Sequence, residues 1–314
     1  MNKIYTDKIQ NFNDEIDLRE LFSILWKGKW IVLGTTSLAS IAVLIYSLLL
    51  PNIYESKALL VSVDSSSNIS GAFQNYSSLA GLAGINISSG SNDSNSAKAV
   101  EKLVSLSFFE NNIMPNIFLP DLMAFESWDS SSGSNTYKEN IYNKSLDKWV
   151  RKFSYPNKQI PSAQESYEVF RSGHINISED KQTGFLLLAV KHQSPFIAKE
   201  WTELIVREIN AFYRKKDKSE TQKAVVFLNE QIAMANFAEI KQVIAELLQQ
   251  ETQKLTLIEA NQSYVFDYID PPTVMEKKSE PKRALICILG GLFGIVLGIL
   301  IVLFIHYGLR NRVF

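Results

Sequence analysis

The residues of this chain that could carry covalent or metal chemistry are few and scattered. There is a single cysteine, Cys287, and three histidines, His174, His192 and His306. One thiol excludes a disulfide framework, and Cys287 lies inside a long apolar run, where it reads as a small packing residue. His174 and His192 fall on two neighbouring predicted strands and can meet only if those strands pair. Neither has a Cys or carboxylate at ligand spacing, so no metal site is expected. His306 closes an apolar run and reads as an interfacial residue. No phosphate-binding GxxxxGK[ST] loop, GxSxG elbow or HExxH motif occurs. Carboxylates are plentiful between residues 196 and 262, but they alternate with lysines as on a solvated helix face. The run Arg214-Lys215-Lys216-Asp217-Lys218 fits either an anionic glycan or lipid, or a solvated turn. Seven Asn-x-Ser sequons begin at Asn68, Asn75, Asn86, Asn92, Asn143, Asn176 and Asn261. They are what an Asn/Ser-rich chain yields by chance and are not read as glycosylation. No catalytic constellation emerges, so neither enzymatic activity nor a cofactor is expected.

The elements that hold these residues are set by two apolar segments. The chain has 314 residues with 32 basic against 33 acidic side chains, so no excess of cations favours nucleic acid. Residues 30–50 contain no charge, and residues 284–307 contain no Asp, Glu, Lys or Arg. A bilayer core about 30 Å thick needs about 20 apolar residues as helix, and both segments meet that length. The first is too long for a signal-peptide core and lacks a small-x-small cleavage site, so it reads as a retained anchor. Lys27 and Lys29 precede it, and Arg310 and Arg312 follow the second segment, which puts both termini in the cytoplasm. Lys277, Lys278, Lys282 and Arg283 oppose this, but they close a 233-residue segment, 51–283, and long translocated domains largely escape the charge rule. The expected order is a cytoplasmic tail (1–29), a span (30–50), an extracytoplasmic domain (51–283), a second span (284–307) and a short cytoplasmic tail (308–314). Such tails are expected to be too small for a kinase or signalling domain. Gly290, Gly294 and Gly298 stand four apart in the second span, a tandem GxxxG face on which another helix backbone can pack closely.

The expected domain is α+β, with a membrane-proximal mixed sheet and a long extended helical arm. Residues 54–63 read as a strand, 174–178 and 184–191 as two more, and 264–270 as a strand that returns beside the first. Residues 64–96 form a Ser/Asn/Gly-rich stretch with an apolar island at 79–87, expected to be a loop or lid. Residues 97–113 carry helical spacing up to Pro115, and 126–145 are expected to be irregular. From Phe196 to Asp270 there are 75 residues without Gly or Pro. Ser194-Pro195 opens a helix there, and an apolar stripe follows that includes Val225, Leu228, Ile232, Ile240, Val243 and Leu247. One continuous helix over 196–262 would be roughly 100 Å long, with a candidate break at 215–218 where cations repel. Either way the stripe needs partners in its own chain or in copies of it.

Several stretches resemble the Wzz chain-length determinants, the polysaccharide co-polymerases of bacterial inner membranes. They are LLLPNIYESKALLV from Leu48, the island LAGLAGINI, SPFIAKEWTELIVREIN from Ser194, and YVFDYIDPPTVMEKKSEPKRALI from Tyr264. The resemblance runs over essentially the whole chain, and the last block is the most specific. It implies a two-pass inner-membrane protein with a large periplasmic domain and both termini cytoplasmic, assembled as a homo-oligomeric ring. It implies a membrane-proximal proline segment, here Pro271, Pro272 and Pro281. Relatives carry a further proline where this chain has Met275, a departure that bears on how rigidly the sheet is held over the bilayer. The implied function is non-catalytic: an oligomeric scaffold acts on a Wzy-type polymerase and a lipid-linked polysaccharide to set modal glycan length. With no kinase domain expected, the chain looks like the class serving O-antigen of lipopolysaccharide or enterobacterial common antigen; O-antigen is the reading taken, and a capsule or enterobacterial-common-antigen co-polymerase linked to export is the alternative. Whether such a scaffold measures the glycan or tunes the polymerase by contact stays open.

Overall fold

A computed structural model describes residues 18–63, 95–261 and 263–310. The outermost tails and the apolar island at 79–87 lie outside the described residues. The chain divides into two compact units, one of residues 1–51 with 280–314 and one of residues 52–279.

The first unit is helical. Helix α1 (Leu18–Lys27) leads through Gly28 into α2 (Lys29–Leu49), and the last helix of the chain, α9 (Arg283–Arg310), packs against both. Helices α2 and α9 are long and apolar enough to cross a membrane, with mean hydropathies of 2.0 and 3.0. They coincide within a few residues with the segments expected at 30–50 and 284–307. Most of their large apolar side chains are exposed, among them Leu38, Leu49, Phe293 and Phe304. Helices that are apolar all round need an apolar medium.

The second unit is α+β. Its main sheet has the order β6-β7-β1-β8, with β1 at Tyr54–Ser62, β6 at Ile175–Glu179, β7 at Leu186–His192 and β8 at Phe266–Asp270. Each neighbouring pair is antiparallel, so the expected mixed sheet is antiparallel throughout. The reason is the chain path. β6 and β7 form a hairpin whose turn is held by Gly184 at φ +70 and by the Asp180 carboxylate accepting from Gln182 N–H at 2.9 Å. β7 and β8 then flank β1 and both run opposite to it. On β1 the buried residues alternate, Ser56, Ala58 and Leu60, as a strand with one covered face requires.

Helix α7 (Pro195–Met234) covers that sheet with Ile197, Trp201, Leu204, Ile205 and Ile209, all buried. Before it come α3 (Asn95–Leu103), α4 (Leu106–Phe108), α5 (Leu119–Met123) and α6 (Ala163–Val169). The helix expected over 97–113 is interrupted at Ser105, whose hydroxyl accepts from Phe108 N–H at 3.3 Å and starts a new helical run. The stretch expected to be irregular holds two small antiparallel hairpins, β2 (Phe125–Trp128) with β3 (Asn135–Tyr137), and β4 (Tyr142–Asn143) with β5 (Lys148–Trp149). Its Ser/Gly-rich part is a closed turn. The Asp129 carboxylate accepts from Ser131 N–H and from the Ser131 and Ser132 hydroxyls, which holds that carboxyl below the usual range, at about 2. Phe118, Phe125, Tyr137 and Tyr142 then stack edge to face around the hairpins.

The long helical stretch is two helices. After the 40 residues of α7, roughly 60 Å of helix, the backbone turns extended at Ala235 and Phe237 and re-enters α8 (Ala238–Ala260). The helices run back along each other, since Lys218 pairs with Glu259 and Thr221 and Ile258 are both buried. The break falls at 235–237 and not at 215–218. The cations there stay on one unbroken helix because Lys218 has a carboxylate partner and Lys216 lies 5.9 Å over the Tyr213 ring.

Candidate functional site

Three groups of residues were expected to bear on function: the glycine face, the proline segment and the helical arm. The glycines of α9 lie against α2 of the same chain. A Cβ at Gly290 would stand 2.6 Å from Val43 Cγ2, and one at Gly294 2.8 Å from Ala39 Cβ and 3.0 Å from Thr36 Cα. One at Gly298 would meet Thr35 Oγ1 and, at 2.9 Å, Val32 Cα. Partners descend along α2 as the glycines ascend along α9, which defines antiparallel packing. Gly291, off this face, would meet only Ser40 Oγ, at 3.6 Å. Thr35 and Thr36 donate to their own helix, to Ile31 O at 3.0 Å and Val32 O at 2.7 Å respectively, so no hydroxyl is left open in an apolar setting. The tandem GxxxG is thus occupied within the chain. A fourth glycine continues it: a Cβ at Gly28 would lie 2.6 Å from Val302 Cγ1. It escaped the sequence reading because it stands alone, without an xxxG partner.

The proline segment runs along the start of β1. Pro272 is buried and Pro271 exposed. Behind them Ser56 donates to Thr273 O at 3.0 Å, Lys278 Nζ to Asn52 Oδ1 at 3.0 Å, Ser279 N–H to Ile53 O at 2.8 Å and Ser279 Oγ–H to Glu55 at 3.0 Å. These bonds, more than the prolines, fasten the segment to the strand. Pro281 follows Glu280 through a cis peptide bond, just ahead of α9. Met275 is exposed and accepts a long contact from Thr273 Oγ1 at 3.7 Å.

On the arm, the predicted stripe divides. Val225, Leu228 and Ile232 are half-buried and, with Ile244, Leu248, Leu255 and Ile258 of α8, are the more covered apolar residues of the hairpin. Ile240, Val243 and Leu247 face outward at 49, 53 and 44 % exposure. Val226, Phe227, Met234 and Phe237 add to this open apolar surface. The arm's root is clamped by Asn210. Its side-chain oxygen accepts from the N–H groups of Tyr264, Val265 and Phe266 at 3.3, 2.7 and 3.0 Å, and its Nδ2 donates to Phe266 O at 2.9 Å. Tyr264 O–H donates to Asp217 at 2.6 Å, and burial with this bond raises the phenol's pKa. An isolated Asn inside an apolar helix gave the sequence reading no signal for this clamp.

The two histidines do meet, with ring centroids 5.5 Å apart and Trp201 edge-on to both. His192 is buried. Its Nδ1 accepts from Ser194 N–H at 2.9 Å and its Nε2 donates to Asp121 O at 3.1 Å. His174 Nδ1 donates to Lys191 O at 2.7 Å. Burial lowers both pKa values, that of His192 to about 3. Neutral and committed to backbone partners, His192 seats the start of α7. Among the described residues no group of three or more His, Cys, Asp or Glu is placed to hold a metal ion. Arg151 is likewise architectural: it donates to Gln159 O at 2.9 Å and pairs with Glu165, and that pairing raises its own pKa and lowers that of Glu165.

Residues 14–113 match the family model of Wzz, described as chain length determinant protein. No curated protein matches the chain. Among solved structures, one described as a full-length bacterial polysaccharide co-polymerase is similar at 15 % identity, over 94 % of this chain and 99 % of its own, with a TM-score of 0.34. A fragment of WzzB, a polysaccharide co-polymerase from Salmonella Typhimurium, is similar at 13 % identity over 73 % of this chain and 100 % of its own, with a TM-score of 0.30.

Proposed function

We propose that this protein sets the length of a surface polysaccharide, O-antigen of lipopolysaccharide, without catalysing a covalent step. It acts as a homo-oligomeric scaffold on a Wzy-type polymerase and its lipid-linked glycan. The match of residues 14–113 to the chain length determinant family carries this reading. In this reading α2 and α9 span the bacterial inner membrane, both termini are cytoplasmic, and residues 51–283 are periplasmic. The open apolar surface at Ile240, Val243 and Leu247 supports assembly, since a soluble arm leaves such a surface uncovered only where copies or partners cover it. Deletion of the gene, followed by gel display of surface polysaccharide, tests the function. The expected result is loss of the modal length with polymer still made. An unchanged O-antigen ladder beside altered capsule or enterobacterial common antigen moves the function to that polymer, and no change in any of them refutes it.

A further inference from the structure

Helix α1 has two faces that the first unit treats differently. Ile24 is buried and helix α1 packs on α9, while Phe22 and Trp26 stand 66 and 63 % exposed one helical turn apart. Their rings stack at 6.0 Å with 25° between planes. Together with Ser23 and Lys27 they line a shallow depression. Trp30, at 76 % exposure, continues the aromatic edge across Gly28, and Lys29 Nζ lies 5.1 Å over the Trp26 ring. Ser23 and Lys27 are exposed at the margin of this edge. The depth of this edge is fixed inside the unit, because Gly28 lies against Val302 of α9, about two turns of helix short of Arg310. The aromatic edge therefore sits beside the last turns of α9, where its apolar run gives way to His306, Tyr307 and Arg310.

Aromatic side chains with an apolar body and nearby lysines gather where acyl chains meet headgroups. We propose that Phe22, Trp26 and Trp30 form an edge immersed in the headgroup layer of the bilayer, with Lys27 and Lys29 reaching lipid phosphates at its rim. Contact with lipid then begins two turns before α2, and α1 is a membrane-interface helix instead of part of a free tail. The occupant is lipid because the edge is continuous with the exposed apolar faces of α2 and α9, and a lysine's stem can follow such a surface while its ammonium stays wet. The inference rests on α2 and α9 being spans.

The test uses the full chain in phosphatidylethanolamine–phosphatidylglycerol vesicles. Cys287 is the chain's one cysteine, so in a Cys287→Ala background single nitroxide labels go on Phe22→Cys, Ser23→Cys, Trp26→Cys, Lys27→Cys and Leu38→Cys. Relaxation by oxygen reports lipid and relaxation by a water-soluble nickel chelate reports water. We expect oxygen to dominate at positions 22, 26 and 38 and nickel at 23 and 27. Nickel dominance at 22 and 26 with oxygen dominance at 38 overturns the interface helix and leaves the spans standing. Positions 22 and 26 closed to both reagents mean a protein partner covers the edge, which also overturns it. A water-accessible position 38 removes the spans and the inference with them.

Discussion

The side-chain oxygen of Asn210 lies 2.7 Å from the amide nitrogen of Val265 and 3.0 Å from that of Phe266, bonding α7 to the strand that follows the arm. One carboxamide thus fixes where the chain returns from α8 to the sheet. Asn210→Ala removes an acceptor serving three N–H groups and a donor to Phe266 O. Leaving buried backbone groups unpaired costs about 2–3 kcal/mol. We expect a lowered unfolding midpoint in detergent, with Asn210→Asp between the two because it keeps the acceptor and loses the donor. An Ala variant as stable as the parent would show that the clamp contributes nothing.

The glycine face makes a position-specific expectation. At Gly294 the nearest obstacles to a Cβ include backbone, Thr36 Cα at 3.0 Å, which cannot rotate away, whereas at Gly291 it is a serine hydroxyl at 3.6 Å. Gly294→Leu should separate α2 from α9 and alter chain-length control with the α+β unit still folded. Gly291→Leu should do neither. Distances between nitroxide labels on α2 and α9, read beside the polysaccharide profile, check this. Equal tolerance at both positions would mean the face does not hold the helices together.

His192 sets a pH dependence. Its folded pKa is depressed by burial to about 3 from the ordinary histidine value of 6.5. The unfolded chain therefore binds a proton that the folded chain refuses. The stability from neutral His192 is fully present above about pH 6.5 and declines as pH falls toward about 3, by about 1.4 kcal/mol per pH unit at most. His174, depressed in the same direction by burial, adds to the trend, while Asp121, raised by burial, opposes it. We expect unfolding midpoints at pH 7.5 and pH 5 to differ more in the parent than in His192→Gln. Identical pH differences would exclude His192 as the source.

Legibility from sequence followed the kind of signal. The two long helices, the four main strands and the return of β8 beside β1 come from apolar runs and alternation, which are local. The break at 235–237 was missed because no Gly or Pro marks it; the hairpin arises from burial of seam residues on both helices, Thr221 and Ile258 among them, a long-range effect. The hairpins β2–β3 and β4–β5 were missed because the Ser/Gly-rich composition of 129–134 resembles a loose loop, while its order comes from one carboxylate, Asp129. The stripe was legible as apolar, but which residues it turns inward was not, since that depends on where α8 begins.

Topology is directly measurable. Reporter fusions after Gly308 and near Lys3 should behave as cytoplasmic and one near Gln250 as periplasmic. A cytoplasmic reporter near Gln250 would defeat the two-span arrangement.

The split of the stripe separates folding from assembly. Leu247 is 44 % exposed, so Leu247→Asp places its carboxylate in water and leaves the single chain intact. Ile258 is 2 % exposed, so Ile258→Asp buries an unpaired carboxylate in the seam, at a cost of several kcal/mol. We expect Ile258→Asp to lower the unfolding midpoint, and Leu247→Asp to leave it unchanged while reducing oligomer size and broadening the polysaccharide length distribution. Polar changes on the same surface, Glu230→Ala or Lys241→Ala, should shift that distribution by degrees, because a scaffold acts through the shape of many copies. Oligomer size in mild detergent and gel profiles of the polysaccharide, scored on the same variants, decide the matter. If Leu247→Asp assembles and controls length as the parent does, the outer stripe is not the assembly surface. If a folded, normally assembled variant lacking one exposed carboxylate or histidine loses all length control, the scaffold gives way to an enzyme.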